Sequence, residues 1–310
     1  MKTYILDPIH DSPLSFAKEN VEVVKWDDPR VNDWSEAEAL LVRTTKITKE
    51  QMLNCPNLKI IAKHGIGTDN IDLEAAKELG IVVTNTPQAN MESVAELAVS
   101  LILSCARNIT KAYDMVRDGI EKLAPKELTG IELGGKTVGL IGLGRIGYRV
   151  GIILKNGFNM DMVGYDPYLS HEKAAELGVK KYDDLKDMLA VSDVVSISVP
   201  LLPSTTNLVD KAEFDIMKKS AILVNTSRGK IVNEEALYEA LSTGKIRAAA
   251  LDVFEVEPPT KDNPLFKLDN FVGSPHIGAA TEEALIRMGQ TALEEIIRVR
   301  DGVEPLFKVK

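Results

Sequence analysis

Residues 137–147 read TVGLIGLGRIG, an apolar run that passes directly into the pattern GxGxxG. The apolar run predicts a buried strand, and the residues after Gly147 have the period of a helix. Between a strand and a helix, this pattern is typical of a loop that binds the phosphates of a dinucleotide. Gly142 permits the tight turn, Gly144 lets the backbone approach the pyrophosphate, and Gly147 allows the helix to pack closely on the strand.

A carboxylate ends the next predicted strand, about 20 residues after Gly147, where the adenosine ribose of a dinucleotide is expected. The side chain of Asp166 would accept hydrogen bonds from the ribose hydroxyls and would repel a 2′-phosphate. The sequence therefore predicts NAD as the cofactor in preference to NADP. Asp166 precedes Pro167, and an Asp-Pro pair also opens turns, but the preceding glycine loop favours the role in dinucleotide binding.

Short apolar runs alternate with segments of helical period along the whole chain, which predicts an α/β fold with parallel sheets. The first part of the chain contains candidate strands at residues 3–6, 21–24, 39–42, 58–62 and 81–84. The second part contains six, at residues 137–141, 161–166, 193–199, 221–226, 248–254 and 270–274. Six strands are the number in a complete dinucleotide-binding sheet. A buried helix is predicted at 91–108, and a helix at 281–300 is expected to return to the first domain.

Composition restricts the class of protein. A chain of 310 residues is longer than one hydrophobic core usually supports, so two domains are expected. The net charge of −9 argues against nucleic acid as a partner. The most apolar run, at 97–106, is too short for a membrane span, and the N-terminus does not resemble a signal peptide. Cys55 and Cys105 lack the spacing of a disulfide framework, which favours the reducing cytoplasm.

Three ionisable residues follow the last three predicted strands of the second domain. These residues are Arg228, Glu257 and His276. Because ligands of such sheets bind outside the carboxyl ends of the strands, we expect the three side chains to lie together at one edge. Each residue alone is more often structural, as a surface ion pair, a solvated loop residue or a core or surface histidine. Their common position favours a catalytic site.

The three side chains suit hydride transfer to a 2-oxo acid. Arg228 can bind a carboxylate or carbonyl oxygen through two parallel hydrogen bonds. His276 can donate the proton that the carbonyl oxygen needs when a hydride reaches the carbon atom. Glu257 would orient the imidazole ring and favour its protonated form at neutral pH.

Four motifs, in this order, resemble those of the D-isomer-specific 2-hydroxyacid dehydrogenases over essentially the whole chain. They are the glycine loop with Asp166, NTSRG at 225–229, DVFEVEP at 252–258 and SPHIG at 274–278. The resemblance implies two Rossmann-like, doubly wound parallel-sheet domains with a cleft between them. It places a flavodoxin-like substrate-binding (catalytic) domain at residues 1–98 plus 286–310 and an NAD-binding Rossmann domain at residues 99–285. It also implies a homodimer formed through the NAD-binding domain.

The same resemblance implies roles for individual residues. Arg228 would bind and orient the substrate, His276 would act as acid and base with Glu257 as its partner, and Asp252 would lie near the nicotinamide carboxamide. The expected cofactor contacts are Gly142, Gly144, Arg145, Ile146, Gly147, Asp166, Pro200, Thr205, Thr226, Ser227, Asp252 and Gly278. The expected substrate contacts are Arg43, Gly65, Ile66, Gly67, Arg228 and His276. No metal is expected.

The segment KHGIGTD at 63–69 resembles the substrate loop of the family. The successive amides of Gly65, Ile66 and Gly67 could form a nest for the substrate carboxylate, and a glycine-rich turn after the preceding strand would be compatible with that role. One departure from the family concerns the cofactor side. Many members have His-x-Pro after the third strand of the NAD-binding domain, whereas this chain has SVP at 198–200.

The identity of the substrate is left open by the sequence. The segment VRTTK at 42–46 is similar to the phosphoglycerate dehydrogenase branch, in which basic residues at this place meet the substrate phosphate. Arg43 and Lys46 could equally be solvated, so a glyoxylate/hydroxypyruvate or D-lactate-type reductase is the alternative. An alternative of another class is a non-catalytic NAD-sensing binding protein. The expected partners are a small 2-oxo or 2-hydroxy acid and a second copy of the chain.

Overall fold

The chain forms two compact α/β units in the computed structural model, which describes residues 1–119 and 126–309. The first unit comprises Met1–Met91 and Ala279–Lys310, and the second comprises Glu92–Gly278. The first unit is therefore discontinuous in sequence, because a C-terminal segment returns to it.

The boundaries between the units lie seven residues before the expected ones, after residue 91 instead of 98 and after 278 instead of 285. The start of the long helix, which was predicted at residues 91–108, belongs to the second unit because two of its side chains contact residues of that unit. The Ser93 hydroxyl donates to the Gly278 carbonyl (2.7 Å), and Glu92 pairs with Arg149 (2.7 Å).

The first unit is built on a sheet of parallel strands. These are β1 (Lys2–Ile5), β2 (Glu22–Lys25), β3 (Ala39–Val42), β4 (Ile60–Lys63) and β5 (Val82–Thr84). Their order across the sheet is β2-β1-β3-β4-β5. The helices that connect them are α1 (Asp11–Asn20), α2 (Lys49–Leu53) and α3 (Leu73–Glu78).

The central strands of this sheet are apolar throughout because both faces of the sheet are covered. In β3, Leu40 and Val42 belong to the core on one face, whereas Ala39 and Leu41 belong to the core on the other. A parallel sheet buried on both faces reads as a continuous apolar run rather than as an alternating one. Because all the strands are parallel, their carboxyl ends lie at the same edge of the sheet.

The second unit is built on a larger parallel sheet. Its strands are β6 (Thr137–Ile141), β7 (Asp161–Tyr165), β8 (Lys180–Tyr182), β9 (Val194–Ile197), β10 (Ile222–Asn225), β11 (Ala248–Leu251) and β12 (Phe271–Gly273). Their order is β12-β11-β10-β9-β6-β7-β8. The helices of this part of the chain are α4 (Met91–Arg107), α5 (Ile109–Asp118), α6 (Arg145–Phe158), α7 (His171–Glu176), α8 (Leu185–Val191), α9 (Lys211–Phe214) and α10 (Glu234–Ser242). The chain then returns to the first unit through α11 (Glu282–Arg300), which packs against α1.

The predicted count of six strands in this sheet was wrong by one. The additional strand is β8, which pairs with β7 at the edge of the sheet and has the sequence KKY. Lysines are common on edge strands because their charges discourage pairing with other chains. An edge strand of this kind has no apolar run, so hydrophobic periodicity does not reveal it.

The long helix α4 is a core helix of the second unit. Nine of its residues are buried, among them Leu101, Ile102 and Cys105. Among the described residues, no single helix is long and apolar enough to cross a bilayer. Together α4 and α5 reach the required length and composition, but the chain bends by 62° between them.

Candidate active site

Two of the expected catalytic side chains are in direct contact. His276, which follows β12, has its Nδ1 atom 2.8 Å from Oε2 of Glu257, which follows β11. The other carboxylate oxygen of Glu257 accepts a hydrogen bond from the amide of Phe254 (3.1 Å). Both side chains of the pair are partly exposed. The contact orients the imidazole ring and leaves its Nε2 atom without a hydrogen-bond partner among the described residues.

The electrostatic environment keeps Glu257 ionised. Partial burial by itself would raise the pKa of the carboxyl group, but the hydrogen bond and charge of His276 oppose it. The amide of Phe254 and the charge of Arg228 act in the same direction, and together these interactions hold the pKa of Glu257 below its usual range. At neutral pH a carboxylate therefore lies beside Nδ1 of the imidazole.

The loop that carries His276 is anchored by Asp252, a fully buried carboxylate at the end of β11. Its oxygens accept hydrogen bonds from the Ser274 hydroxyl (2.6 Å) and from the amides of Ile277 (2.9 Å) and Gly278 (2.8 Å). The amide of His276 donates to the Asp252 carbonyl (2.8 Å), which holds the residue at a left-handed φ of 54°. Asp252 thus fixes the histidine loop, and its expected contact with the nicotinamide carboxamide stays a prediction.

Arg228 lies in a turn that Asn225, the last residue of β10, organises. The buried Asn225 side chain accepts hydrogen bonds from the amide and hydroxyl of Ser227 (3.0 and 2.6 Å) and donates to the carbonyl of Arg228 (2.8 Å). The guanidinium Nη1 donates to the Ser227 carbonyl (2.6 Å). Because β10, β11 and β12 are parallel neighbours, Arg228, Glu257 and His276 all follow strands at one edge of the sheet.

The other three histidines have different surroundings. His10 caps α1 through the amide of Ser12, and His171 pairs with Asp183 on the surface. His64 is only 2% exposed, and neither ring nitrogen has a hydrogen-bond partner among the described residues. Burial, together with the nearby charges of Arg43 and Lys63, lowers the pKa of His64 to about 4. The imidazole of His64 is therefore neutral at physiological pH and is no proton donor there.

The glycine loop has the geometry that the motif predicts. Gly142 adopts a φ of 90°, and a Cβ atom there would lie 2.5 Å from the carbonyl oxygen of Ser198. A Cβ atom at Gly147 would lie 2.1 Å from the carbonyl oxygen of Gly142. A Cβ atom at Gly144 would meet no atom within 4 Å, so space is left beside this residue. Gly144 is the N-cap residue of α6, and no side chain caps the first-turn amides, those of Arg145 and Ile146 included, so they are suited to bind an anion.

Asp166 joins the glycine loop to the end of β7. One carboxylate oxygen accepts the amide of Leu143 (3.0 Å), and the other accepts the amide of Tyr168 (2.9 Å). The hydrogen bond from Tyr168 closes a turn of the kind that an Asp-Pro pair favours. Asp166 therefore forms this turn and also contacts the glycine loop. Among the described residues each oxygen accepts one hydrogen bond, which leaves a lone pair that a ribose hydroxyl could use.

Thr226, an expected cofactor residue, follows β10, and Ser198, which was not among the expected contacts, follows β9. Their hydroxyls are buried and have no hydrogen-bond partner among the described residues. Unpaired buried hydroxyls are costly, so these atoms suit a polar ligand that would satisfy them. Thr205 donates to the Pro200 carbonyl (2.7 Å) and thereby shapes the loop after β9. With the glycine loop and Asp166, these residues fit a dinucleotide along the edge of the sheet.

The expected substrate loop of the first unit differs from a nest of three free amides. The amide of Gly65 donates to the Thr86 hydroxyl (3.1 Å), and the Gly65 carbonyl accepts the amide of Thr86 (2.9 Å). Asn85 donates from its side chain to the Ile66 carbonyl (2.8 Å). Among the described residues, the amides of Ile66 and Gly67 have no acceptor, so only these two are open to a substrate carboxylate.

Four residues that shape these loops had no role assigned from the sequence: Asp7, Asn85, Thr86 and Asn225, of which only Asn225 was quoted, as part of the motif NTSRG. Asp7 follows β1, Asn85 and Thr86 follow β5, and Asn225 ends β10. All four lie at carboxyl ends of parallel strands, where ligands of such sheets bind. The same survey of strand ends that identified Arg228, applied to the first unit, would have found the first three of them.

Comparisons with known proteins agree with this architecture. Residues 99–278 match the family described as D-isomer specific 2-hydroxyacid dehydrogenase, NAD binding domain. The crystal structure of the TT0316 protein from Thermus thermophilus is similar, with a TM-score of 0.91 and 34% identity. That match covers 100% of both chains.

Two relatives of similar identity differ in length. The chain is 44% identical over 307 residues to the D-3-phosphoglycerate dehydrogenase of Methanocaldococcus jannaschii, a match that covers 97% of this chain and 58% of that protein. It is 43% identical over 305 residues to the hydroxypyruvate reductase of Thermotoga maritima, with 96% and 97% covered. The chain therefore spans little more than half of the first relative and nearly all of the second.

Alanine substitutions separate the two roles of the glycine loop. We expect Gly144→Ala to keep the wild-type melting temperature and to weaken NADH binding by about tenfold or more, because the methyl group would occupy the space left for the pyrophosphate. Gly147→Ala should instead destabilise the protein, by about 1–3 kcal/mol, because the added Cβ collides with the backbone of Gly142. Differential scanning fluorimetry and NADH fluorescence titration measure the two effects.

Gly157→Ala is the matched control for this experiment. Gly157 also lies on α6, and a Cβ atom there would meet nothing within 4 Å. The substitution should leave NADH binding unchanged and should raise the stability slightly, because alanine is the better helix former. Wild-type NADH affinity in Gly144→Ala would show that the glycine loop is not the phosphate site.

Proposed function

Because the chain belongs to the D-isomer-specific 2-hydroxyacid dehydrogenases, we propose that it interconverts a small D-2-hydroxy acid and its 2-oxo acid with NAD as cofactor. The observation that carries the proposal is the contact between His276 and Glu257 beside Arg228, on the sheet that also bears the glycine loop. A proton donor, a carboxylate that holds it and a guanidinium are the groups that reduction of a 2-oxo acid requires. When bound, NADH supplies the hydride.

His276 acts as the acid and base. Its Nδ1–H is held by the carboxylate of Glu257, so Nε2 is the nitrogen that faces the substrate. In reduction, protonated His276 donates from Nε2 to the carbonyl oxygen of the substrate, and in oxidation neutral His276 accepts the hydroxyl proton at the same atom. Glu257 stays ionised in both directions and keeps the imidazole ring in place.

Arg228 binds and orients the substrate. Its guanidinium is held at Nη1 by the Ser227 carbonyl. A guanidinium offers parallel donors that match a carboxylate or a carbonyl oxygen in one plane. In the first unit, the amides of Ile66 and Gly67 suit a carboxylate oxygen.

The substrate is a small 2-oxo acid, with 3-phosphohydroxypyruvate as the first candidate. Arg43 is half-buried, and its guanidinium has no hydrogen-bond or ion-pair partner among the described residues, which suits an anionic group on the substrate. The relative from Methanocaldococcus jannaschii is named D-3-phosphoglycerate dehydrogenase. Hydroxypyruvate is the second candidate, because the similarly related protein from Thermotoga maritima is named hydroxypyruvate reductase.

The enzyme acts as a homodimer formed through the second unit. Helix α5 has no buried residue, and its large apolar side chains Ile109, Tyr113 and Val116 are each more than half exposed. Their spacing places them on one face of the helix, and an apolar face of this kind is typical of an interface. A cytoplasmic location suits the two buried free thiols.

The purified protein should oxidise NADH when it is given the correct 2-oxo acid. The panel contains 3-phosphohydroxypyruvate, hydroxypyruvate, glyoxylate, pyruvate and a branched 2-oxo acid, and the loss of NADH absorbance gives kcat/KM for each. Because Asp166 would repel a 2′-phosphate, we expect kcat/KM to be at least about tenfold higher with NADH than with NADPH. Binding of NADH without turnover of any acid would identify a non-catalytic NAD-binding protein and would contradict the proposal.

Steady-state kinetics of the reduction test the roles of His276 and Glu257. His276→Ala removes the proton donor and should lower kcat by about 10²–10⁴-fold. Glu257→Gln removes the carboxylate that holds Nδ1 of His276 and should lower kcat by about tenfold or more. Asp183→Asn is the control, because it alters the exposed His171–Asp183 pair and should leave kcat unchanged. A wild-type kcat in Glu257→Gln would overturn the pairing.

Charges placed on α5 should dissociate the dimer. We expect the double variant Tyr113→Lys/Val116→Lys to elute as a monomer in size-exclusion chromatography with light scattering, because two lysines cannot be buried in an apolar interface without a large desolvation penalty. The control is Leu53→Lys/Leu306→Lys, which alters equally exposed apolar residues of the first unit and should stay dimeric. A wild-type protein that is monomeric would refute the proposed assembly.

A further inference from the structure

Asp7 is a carboxylate at the end of β1 that is only 7% exposed. The loop after the neighbouring strand β3 wraps around it. Asp7 accepts the amides of Arg43 (2.6 Å), Thr44 (3.1 Å) and Thr45 (3.2 Å). It also accepts the hydroxyls of Thr44 (2.7 Å) and Thr45 (3.0 Å). Three successive backbone amides thus converge on one internal anion.

This arrangement compensates the burial of a charge. Burial by itself would raise the pKa of Asp7, but the hydrogen bonds from the Thr44 hydroxyl and from the three amides outweigh it and hold the pKa below its usual range. A buried carboxylate is tolerated only when its oxygens are satisfied by such donors. The carboxylate is therefore ionised at neutral pH, and the loop conformation depends on it.

Two backbone carbonyls of the same loop, those of Arg43 and Thr45, also accept hydrogen bonds. Lys63, the last residue of β4, donates from Nζ to the Arg43 carbonyl (2.5 Å) and to the side-chain oxygen of Asn70 (2.5 Å). Asn70 in turn donates to the Thr45 carbonyl (2.6 Å). The backbone of residues 43–45 is thus fixed on both sides, and the position from which the Arg43 side chain extends is fixed with it.

The contacts of Asp7 determine which groups of the loop at residues 43–45 are available to an anion. Successive amides in such a turn are an anion-binding nest, and here the nest is already filled by Asp7. An anion from solution cannot use these amides. The guanidinium of Arg43, which has no partner among the described residues, is the group that the loop can present to it.

We propose that Asp7 is a positioning residue for the substrate: by filling the amide nest of residues 43–45, it makes the loop bind the anionic substrate through the Arg43 guanidinium and not through backbone amides. This inference rests on the proposed function, since it concerns the same 2-oxo acid. Asp7 itself does not touch the substrate. Its effect is expected on substrate binding and not on proton or hydride transfer.

Steady-state kinetics with the best 2-oxo acid of the panel test the inference. Asp7→Asn should raise KM for the acid by about tenfold and leave kcat within about twofold, because a displaced Arg43 weakens binding without altering the reacting groups. Arg43→Ala should raise KM by at least as much. In the double variant, KM should be close to that of Arg43→Ala alone, because residues that act through one another are not additive.

Two further variants keep the test decisive. Thr44→Val removes one hydrogen bond to Asp7 and should raise KM about threefold in a protein that folds normally, so it replaces Asp7→Asn if that variant does not fold. Asp33→Asn is the matched control, because Asp33 also accepts a backbone amide, that of Ser35, in an exposed loop of the same unit, and its KM should equal that of the wild type.

The outcomes separate this inference from the proposed function. If the wild type is active and KM is unchanged in both Asp7→Asn and Thr44→Val, the positioning role alone is overturned. The same holds if the increase in KM of the double variant is the product of the increases caused by Asp7→Asn and Arg43→Ala. A wild type that reduces no 2-oxo acid would overturn the proposed function, and the inference would fail with it.

Discussion

Parallel pairing of the strands within each sheet is the constraint on which the candidate site depends. Strands β10, β11 and β12 run in the same direction and lie side by side, so the loops that follow them emerge at one edge. Arg228, Glu257 and His276 are separated by about 20 to 30 residues along the chain, yet the 2.8 Å contact between the last two follows from this register. The same rule gathers Asp7, Arg43 and Lys63 at the carboxyl ends of β1, β3 and β4.

The two units use the same device to shape a loop. In each, an aspartate at the end of one strand is buried and accepts hydrogen bonds from the loop after the neighbouring strand. Asp7 binds the amides of residues 43–45, and Asp252 binds the Ser274 hydroxyl and the amides of residues 277 and 278. A charged acceptor makes stronger hydrogen bonds than a neutral one, so each carboxylate determines its loop more firmly than a backbone carbonyl would.

His276 and His64 differ in their surroundings, and this difference separates a candidate catalytic histidine from a buried neutral one. His276 is partly exposed and has a carboxylate at Nδ1, which orients the ring and leaves Nε2 without a partner among the described residues. His64 is buried beside the positive charges of Arg43 and Lys63, and both effects disfavour its charged form. Residue type alone does not distinguish the two, because each follows a strand and precedes a glycine-containing turn.

The sequence by itself determined the fold class, the glycine loop and the edge at which Arg228, Glu257 and His276 meet, because these depend on local periodicity and on the direction of parallel strands. Tertiary structure alone decided which donors and acceptors pair. Asp7 and Arg43 are 36 residues apart, and the Gly65 amide is taken by Thr86, 21 residues away. The edge strand β8 and the unit boundaries at residues 91 and 278 likewise depend on packing between distant segments. Such contacts follow from strand register and burial in three dimensions, which a local pattern of residues does not contain.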